Sequence, residues 1–97
     1  MRPSEALEKN RQAIREATKR FNAANPRVFG SVARGEDRPD SDLDILVDDL
    51  PGSTLFTLGG LQSALEDLLQ GVPVNLLTPG DLPPEIRSRV LAEARPV

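Results

Sequence analysis

Cysteine and histidine are both missing from the chain, so disulfides, structural zinc and thiol or imidazole catalysis are ruled out by inventory. Any bound metal must use oxygen ligands. Tryptophan and tyrosine are missing too, and the only aromatics, Phe21, Phe29 and Phe56, leave few platforms for stacking single-stranded bases. An excess of positive charge is also lacking: the net charge is -3 and the pI is near 4.9. Nonspecific affinity for phosphate backbones comes from lysine and arginine, so a nucleic-acid polymer is not the expected partner. No stretch approaches the roughly 18 to 20 apolar residues of a membrane span, and Met1 to Glu5 lacks the apolar core of a signal peptide. The expected location is the cytoplasm, without membrane contact.

What is present fits one small folded domain over residues 1–97, with 38% hydrophobic and 28% charged residues. Nine prolines suggest firm element boundaries. From Ser4 to about Phe21, Leu7, Ile14, Ala17 and Phe21 fall along one stripe of a helix, with Ser4 as its N-cap. Glu5 and Glu8 at its start and Lys19 and Arg20 at its end complement the helix dipole. Asn25-Pro26 reads as a break, followed by a short strand Arg27–Phe29 ending at Gly30. A polar turn from Arg34 to Ser41 leads to the best strand, Leu43–Val47. There Leu43, Ile45 and Val47 share one face, and Asp42, Asp44, Leu46 and Asp48 share the other.

A second helix is expected between Ser53 and Gln70, carrying Leu55, Leu58, Leu61 or Gln62, Leu65, Leu68 and Leu69. Gly59-Gly60 weakens its first half by roughly 1 kcal/mol each, so the regular helix is expected to start only after them. Gly71 is its stop. Val72 to Thr78 alternates as a strand, and Pro73 places it at an edge or a strand start. Pro83-Pro84-Glu85 opens a last helix with Ile86, Val90, Leu91 and Ala94 on its apolar side.

Asp42 and Asp44, at i and i+2 on a strand, project from one face and can jointly ligate a hard cation. Alone, such a pair reads rather as two ordinary surface acids at a solvated strand end. The distance to Gly30-Ser31 alters the balance, because ten residues separate Gly-Ser from Asp-x-Asp. That coincidence arises by chance on the order of once in a thousand in a chain of this length. Gly30-Ser31 also directly follows a strand, where glycine permits close backbone approach and backbone N–H groups can hold phosphate.

Gly30-Ser31-Val32-Ala33-Arg34-Gly35 followed by Ser41-Asp42-Leu43-Asp44-Ile45-Leu46-Val47 closely resembles the signature of the minimal nucleotidyltransferases of the DNA polymerase beta superfamily. The resemblance covers nearly the whole chain. It implies an α/β (α+β) fold, a mixed sheet flanked by helices, with ATP as substrate. Gly30 and Ser31 would lie at the triphosphate, and Asp42 and Asp44 would bind two magnesium ions. Arg34 has two readings, a phosphate contact or an arginine that pins the turn through carboxylates such as Asp40.

Family members usually carry a third acid where this chain has Asn75. An amide oxygen can weakly ligate magnesium at that catalytic position, but it brings no charge and cannot take a proton near neutral pH. Asp48 and Asp49 do not replace the acid, being roughly 13 Å or further along the strand from Asp44. The resemblance implies transfer of AMP to a hydroxyl, typically a tyrosine of a HEPN-type ribonuclease toxin, which makes the chain an antitoxin in a hetero-oligomer. The alternative is a module that binds and neutralises its partner without chemistry. A metabolite-modifying enzyme is a third reading, although such enzymes carry an added domain.

Overall fold

The computed structural model describes residues 1–97. In chain order the elements are α1 (Pro3–Arg20), β1 (Ala23–Phe29), α2 (Gly30–Arg34), β2 (Leu43–Asp49), α3 (Leu55–Leu68), β3 (Val74–Leu77), a 3-10 turn (Pro79–Asp81), α4 (Pro84–Glu93) and β4 (Arg95–Pro96). The sheet order is β3-β2-β1-β4. β1 runs antiparallel to both β2 and β4, while β2 and β3 are parallel, so the sheet is mixed. No helix is long and apolar enough to cross a membrane.

Alternation along β2 sets the layers. Leu43, Ile45 and Val47 enter the main core with Leu7, Ile14 and Ala17 of α1 and Leu61 and Leu65 of α3. Leu46, on the other face, packs with Leu82 and Val90. β2 is therefore buried on both sides, and only its acids, Asp44 near the start and Asp48 and Asp49 at the end, reach solvent. β3 lies at the sheet edge, as its proline suggested.

Several boundaries differ from the expected ones. Ser4 is not the N-cap of α1, because the helix begins at Pro3 after Arg2, whose N–H donates to Glu5 Oε1 at 3.0 Å. Pro3 suits the first position, which needs no donor. Asn25-Pro26 does not break the first strand. Asn25, at φ +50°, and Pro26 make an irregularity within a longer β1, and pairing with β2 resumes at Arg27. α3 runs straight through Gly59-Gly60, its start fixed by Thr54 and Thr57, which exchange side-chain and backbone hydrogen bonds. Leu55 does not join the apolar stripe and is 88% exposed, since the first turn overhangs the core that begins at Leu58.

Candidate active site

The site grows from the join between β1 and α2. β1 delivers Gly30 at φ +72°, and a second glycine, Gly35, closes α2 at the same angle. Ala33 turns into the core, and Ser31 lies half-buried beside the turn. The backbone of Gly30 comes so close to β2 that an added Cβ would collide with Asp44 Oδ2. Gly30 and Asp44 thus meet through close approach as well as through the turn.

The connection to β2 is pegged at several points. Glu36 N–H donates to Ser31 O at 2.8 Å, and Arg38 N–H to Ser41 Oγ at 2.8 Å. Asp37, only 7% exposed, accepts from the backbone N–H of Ser4 at 2.9 Å, giving the start of α1 an acceptor from a distant loop. Burial alone would raise this carboxyl, but hydrogen bonds from Ser4 and from its own backbone N–H, with the charge of Arg2, together leave Asp37 below the ordinary carboxylate range. The polar turn expected from Arg34 to Ser41 is therefore tied to the first helix.

Asp42 stands exposed just before β2 and Asp44 half-buried within it. Asn75 is the direct partner of Asp44 across the parallel β2–β3 pair. Its Nδ2 donates to Asp42 Oδ2 at 3.2 Å and to Asp44 Oδ1 at 2.9 Å. The three expected residues therefore converge, with one oxygen of each carboxylate aimed at a common point. Burial is the main reason the Asp44 carboxyl is raised above its ordinary range; Asn75 pulls it back and the like charge of Asp42 adds to the rise. No group of three acidic, histidine or cysteine side chains capable of holding a metal forms in the chain. The donor set is two carboxylates and an amide, hard oxygens that suit a magnesium-like cation once the amide is turned to present Oδ1.

Arg34 does not pair with Asp40. Its Nη1 donates to Glu93 Oε1 at 2.8 Å and its Nε to Glu36 Oε2 at 3.4 Å. The other Glu93 oxygen accepts from the backbone N–H of Gly30 at 2.9 Å. Arg34, and then Gly30, hold the Glu93 carboxyl below its ordinary range. The sequence offered no signal for Glu93, which is 63 residues from Gly30. Asp48, set aside above as a replacement for the third acid, accepts from Asn25 at 2.8 Å and pairs with Arg27 at 3.1 Å, away from this cluster.

Known proteins are similar to the chain in sequence and in fold. The family profile "Nucleotidyltransferase domain" matches residues 10–97. A protein of Methanocaldococcus jannaschii, "Putative protein adenylyltransferase MJ0435", is 42% identical over 67 residues, 69% of this chain and 71% of that protein. "Protein adenylyltransferase MntA" of Thermococcus cleftensis is 40% identical over 79 residues, 81% of this chain and 79% of its own. A solved structure, "Structure of putative minimal nucleotidyltransferase", superimposes with a TM-score of 0.87 at 47% identity, covering 97% of this chain and 95% of that one. By profile, sequence and fold alike, the chain belongs to the nucleotidyltransferase domain family, as a minimal nucleotidyltransferase.

Proposed function

We propose that the chain, acting as one domain over residues 1–97, transfers AMP from ATP to a hydroxyl of a partner protein, a tyrosine of a HEPN-type toxin, as a cytoplasmic antitoxin. The observation that carries this reading is the convergence of Asp42, Asp44 and Asn75 beside the Gly30 turn. Relatives named as protein adenylyltransferases support a protein acceptor. Enzymes of this family use a nucleoside triphosphate and a divalent cation.

In this scheme the acceptor oxygen forms a bond to the α-phosphorus, the bond to the bridging oxygen breaks, and pyrophosphate leaves in line. Asp42 and Asp44 would hold two magnesium ions, with the Asn75 amide oxygen, once turned toward them, as a neutral third ligand. These ions would stabilise the attacking oxygen and the leaving group. Gly30 and Ser31 cradle the triphosphate, and Arg34 faces its charge. Asn75 cannot accept the hydroxyl proton, so this proton passes to an aspartate or to water.

The neutral Asn75 also favours the second reading, a module that neutralises its partner by binding alone. Intact-mass spectrometry of the partner after incubation with the chain and ATP–magnesium separates the two. The proposal expects one AMP added per acceptor hydroxyl and none with Asp42→Asn. A partner that is bound and neutralised with no change in mass would leave the binding module as the function.

A further inference from the structure

The segment Gly30–Arg34 has little to hold its own shape. It is five residues long, too short for a helix to sustain itself, and a glycine in the left-handed region stands at each boundary, Gly30 and Gly35. Yet these residues must keep a fixed shape if they are to cradle phosphate. One carboxylate spans the segment from outside. Glu93, the last residue of α4, accepts from the Gly30 N–H with Oε2 at 2.9 Å and from Arg34 Nη1 with Oε1 at 2.8 Å.

We propose that Glu93 is a positioning residue that staples both ends of the phosphate turn, fixing Gly30 against Asp44 and aiming the Arg34 guanidinium. The inference rests on the nucleotide reading of this site. Arg34 uses Nη1 for Glu93 and Nε for Glu36, which leaves Nη2 for a ligand oxygen. Two carboxylates, each on a separate nitrogen, fix the orientation of a planar guanidinium, whereas a lysine ammonium would rotate freely. Glu93 thereby acts through Arg34 and Gly30, with no requirement to touch the nucleotide itself. The other acids near this turn differ: Glu36 reaches Arg34 only, and Asp37 is turned to Ser4.

Two measurements test this on the intact chain. Hydrogen-exchange mass spectrometry of the 30–35 segment reads the staple without any nucleotide, and calorimetry with ATP–magnesium reads its consequence. Glu93→Ala should speed exchange in that segment about tenfold or more, with α1 and α3 unchanged, and weaken ATP binding about tenfold, the scale of a lost charge-assisted hydrogen bond. Glu93→Gln keeps an acceptor for Gly30 but loses the charge facing Arg34. Its exchange should stay near that of the parent while its affinity falls as far as that of Arg34→Ala. Combining Glu93→Ala with Arg34→Ala should weaken binding by less than the product of the single effects. Unchanged exchange in Glu93→Ala, or tighter ATP binding, would overturn the staple; the latter would make Glu93 a competitor for the cradle. A parent chain that binds no ATP would instead remove the nucleotide reading, and the exchange measurement would still decide whether Glu93 holds the turn.

Discussion

A methyl group added at Gly30 meets the Asp44 carboxylate, and the φ of +72° there is one that side-chain-bearing residues rarely adopt. Gly35 has the same φ with nothing within 4 Å of an added Cβ. The two alanine variants therefore separate conformation from contact. Each should lose about 1 to 2 kcal/mol in denaturant unfolding from the left-handed backbone. Only Gly30→Ala should also displace Asp44 and lose metal-dependent ATP binding in calorimetry. Equal ATP binding by the two variants would detach Gly30 from the site. Asp37 offers a test by pH. Its folded pKa lies below the ordinary value of about 3.9, so its contribution is present above that value and is lost as pH falls through the folded one. Asp37→Asn should be less stable than the parent by about 1 kcal/mol at neutral pH, the scale of a helix-cap contact. The two should converge below the carboxylate range. A difference that persists in acid would mean that the side chain's shape, and not its charge, supports α1.

Neighbouring glycines in α3 make the matching contrast at the scale of an element. Gly59 has open space around it, whereas a Cβ at Gly60 would lie 2.6 Å from Phe21 Cε1. Helix propensity alone favours alanine at both positions by about 1 kcal/mol. Gly59→Ala should therefore stabilise the chain by up to that amount, and Gly60→Ala should destabilise it by displacing Phe21. Thermal unfolding of both variants checks this; the same sign for both would rule out the Phe21 contact as the reason for Gly60. The pair also shows what was readable from sequence. Propensity delayed the start of α3 because the sequence shows the entropy cost of glycine but not the ring that packs onto it. β2 was legible, because Leu43, Ile45 and Val47 alternate with Asp44, Leu46 and Asp48, which leaves one strand face to each set. Asp42 and Asp44 share a face by their i, i+2 spacing, whereas Asn75 was reached only through the resemblance to a family with an acid at that position, because alternation does not show how β2 and β3 pair. α2 and β4 were not legible, because five and two residues carry no period. Glu93 was illegible altogether, because its role depends on where α4 ends in space relative to Gly30.

Across the whole molecule the charge is already negative, at -3, and the acids of the site have no cation of their own beyond the reach of Arg34. Asn75 relieves that by donating one amide group to both aspartates. The same residue that removes the third acid therefore steadies the metal-free fold. Asn75→Asp should reverse both effects. In chelator it loses two hydrogen bonds and gains like-charge repulsion, about 1 kcal/mol at this exposed position. For a domain of this size that corresponds to a fall in Tm of roughly 4 to 8 °C. Magnesium should restore the loss and stabilise the variant more than it does the parent, because binding to the folded state alone shifts Tm with affinity. With a carboxylate available to take the acceptor proton, AMP transfer to the partner should rise at least about tenfold, the lower part of the range for general-base assistance. Adding Asp42→Asn should abolish both the magnesium-dependent rise in Tm and the transfer. A variant whose Tm ignores magnesium would show that these strands hold no cation site. A variant that gains the magnesium response without any gain in transfer would leave the metal site intact but assign the chain to binding rather than catalysis.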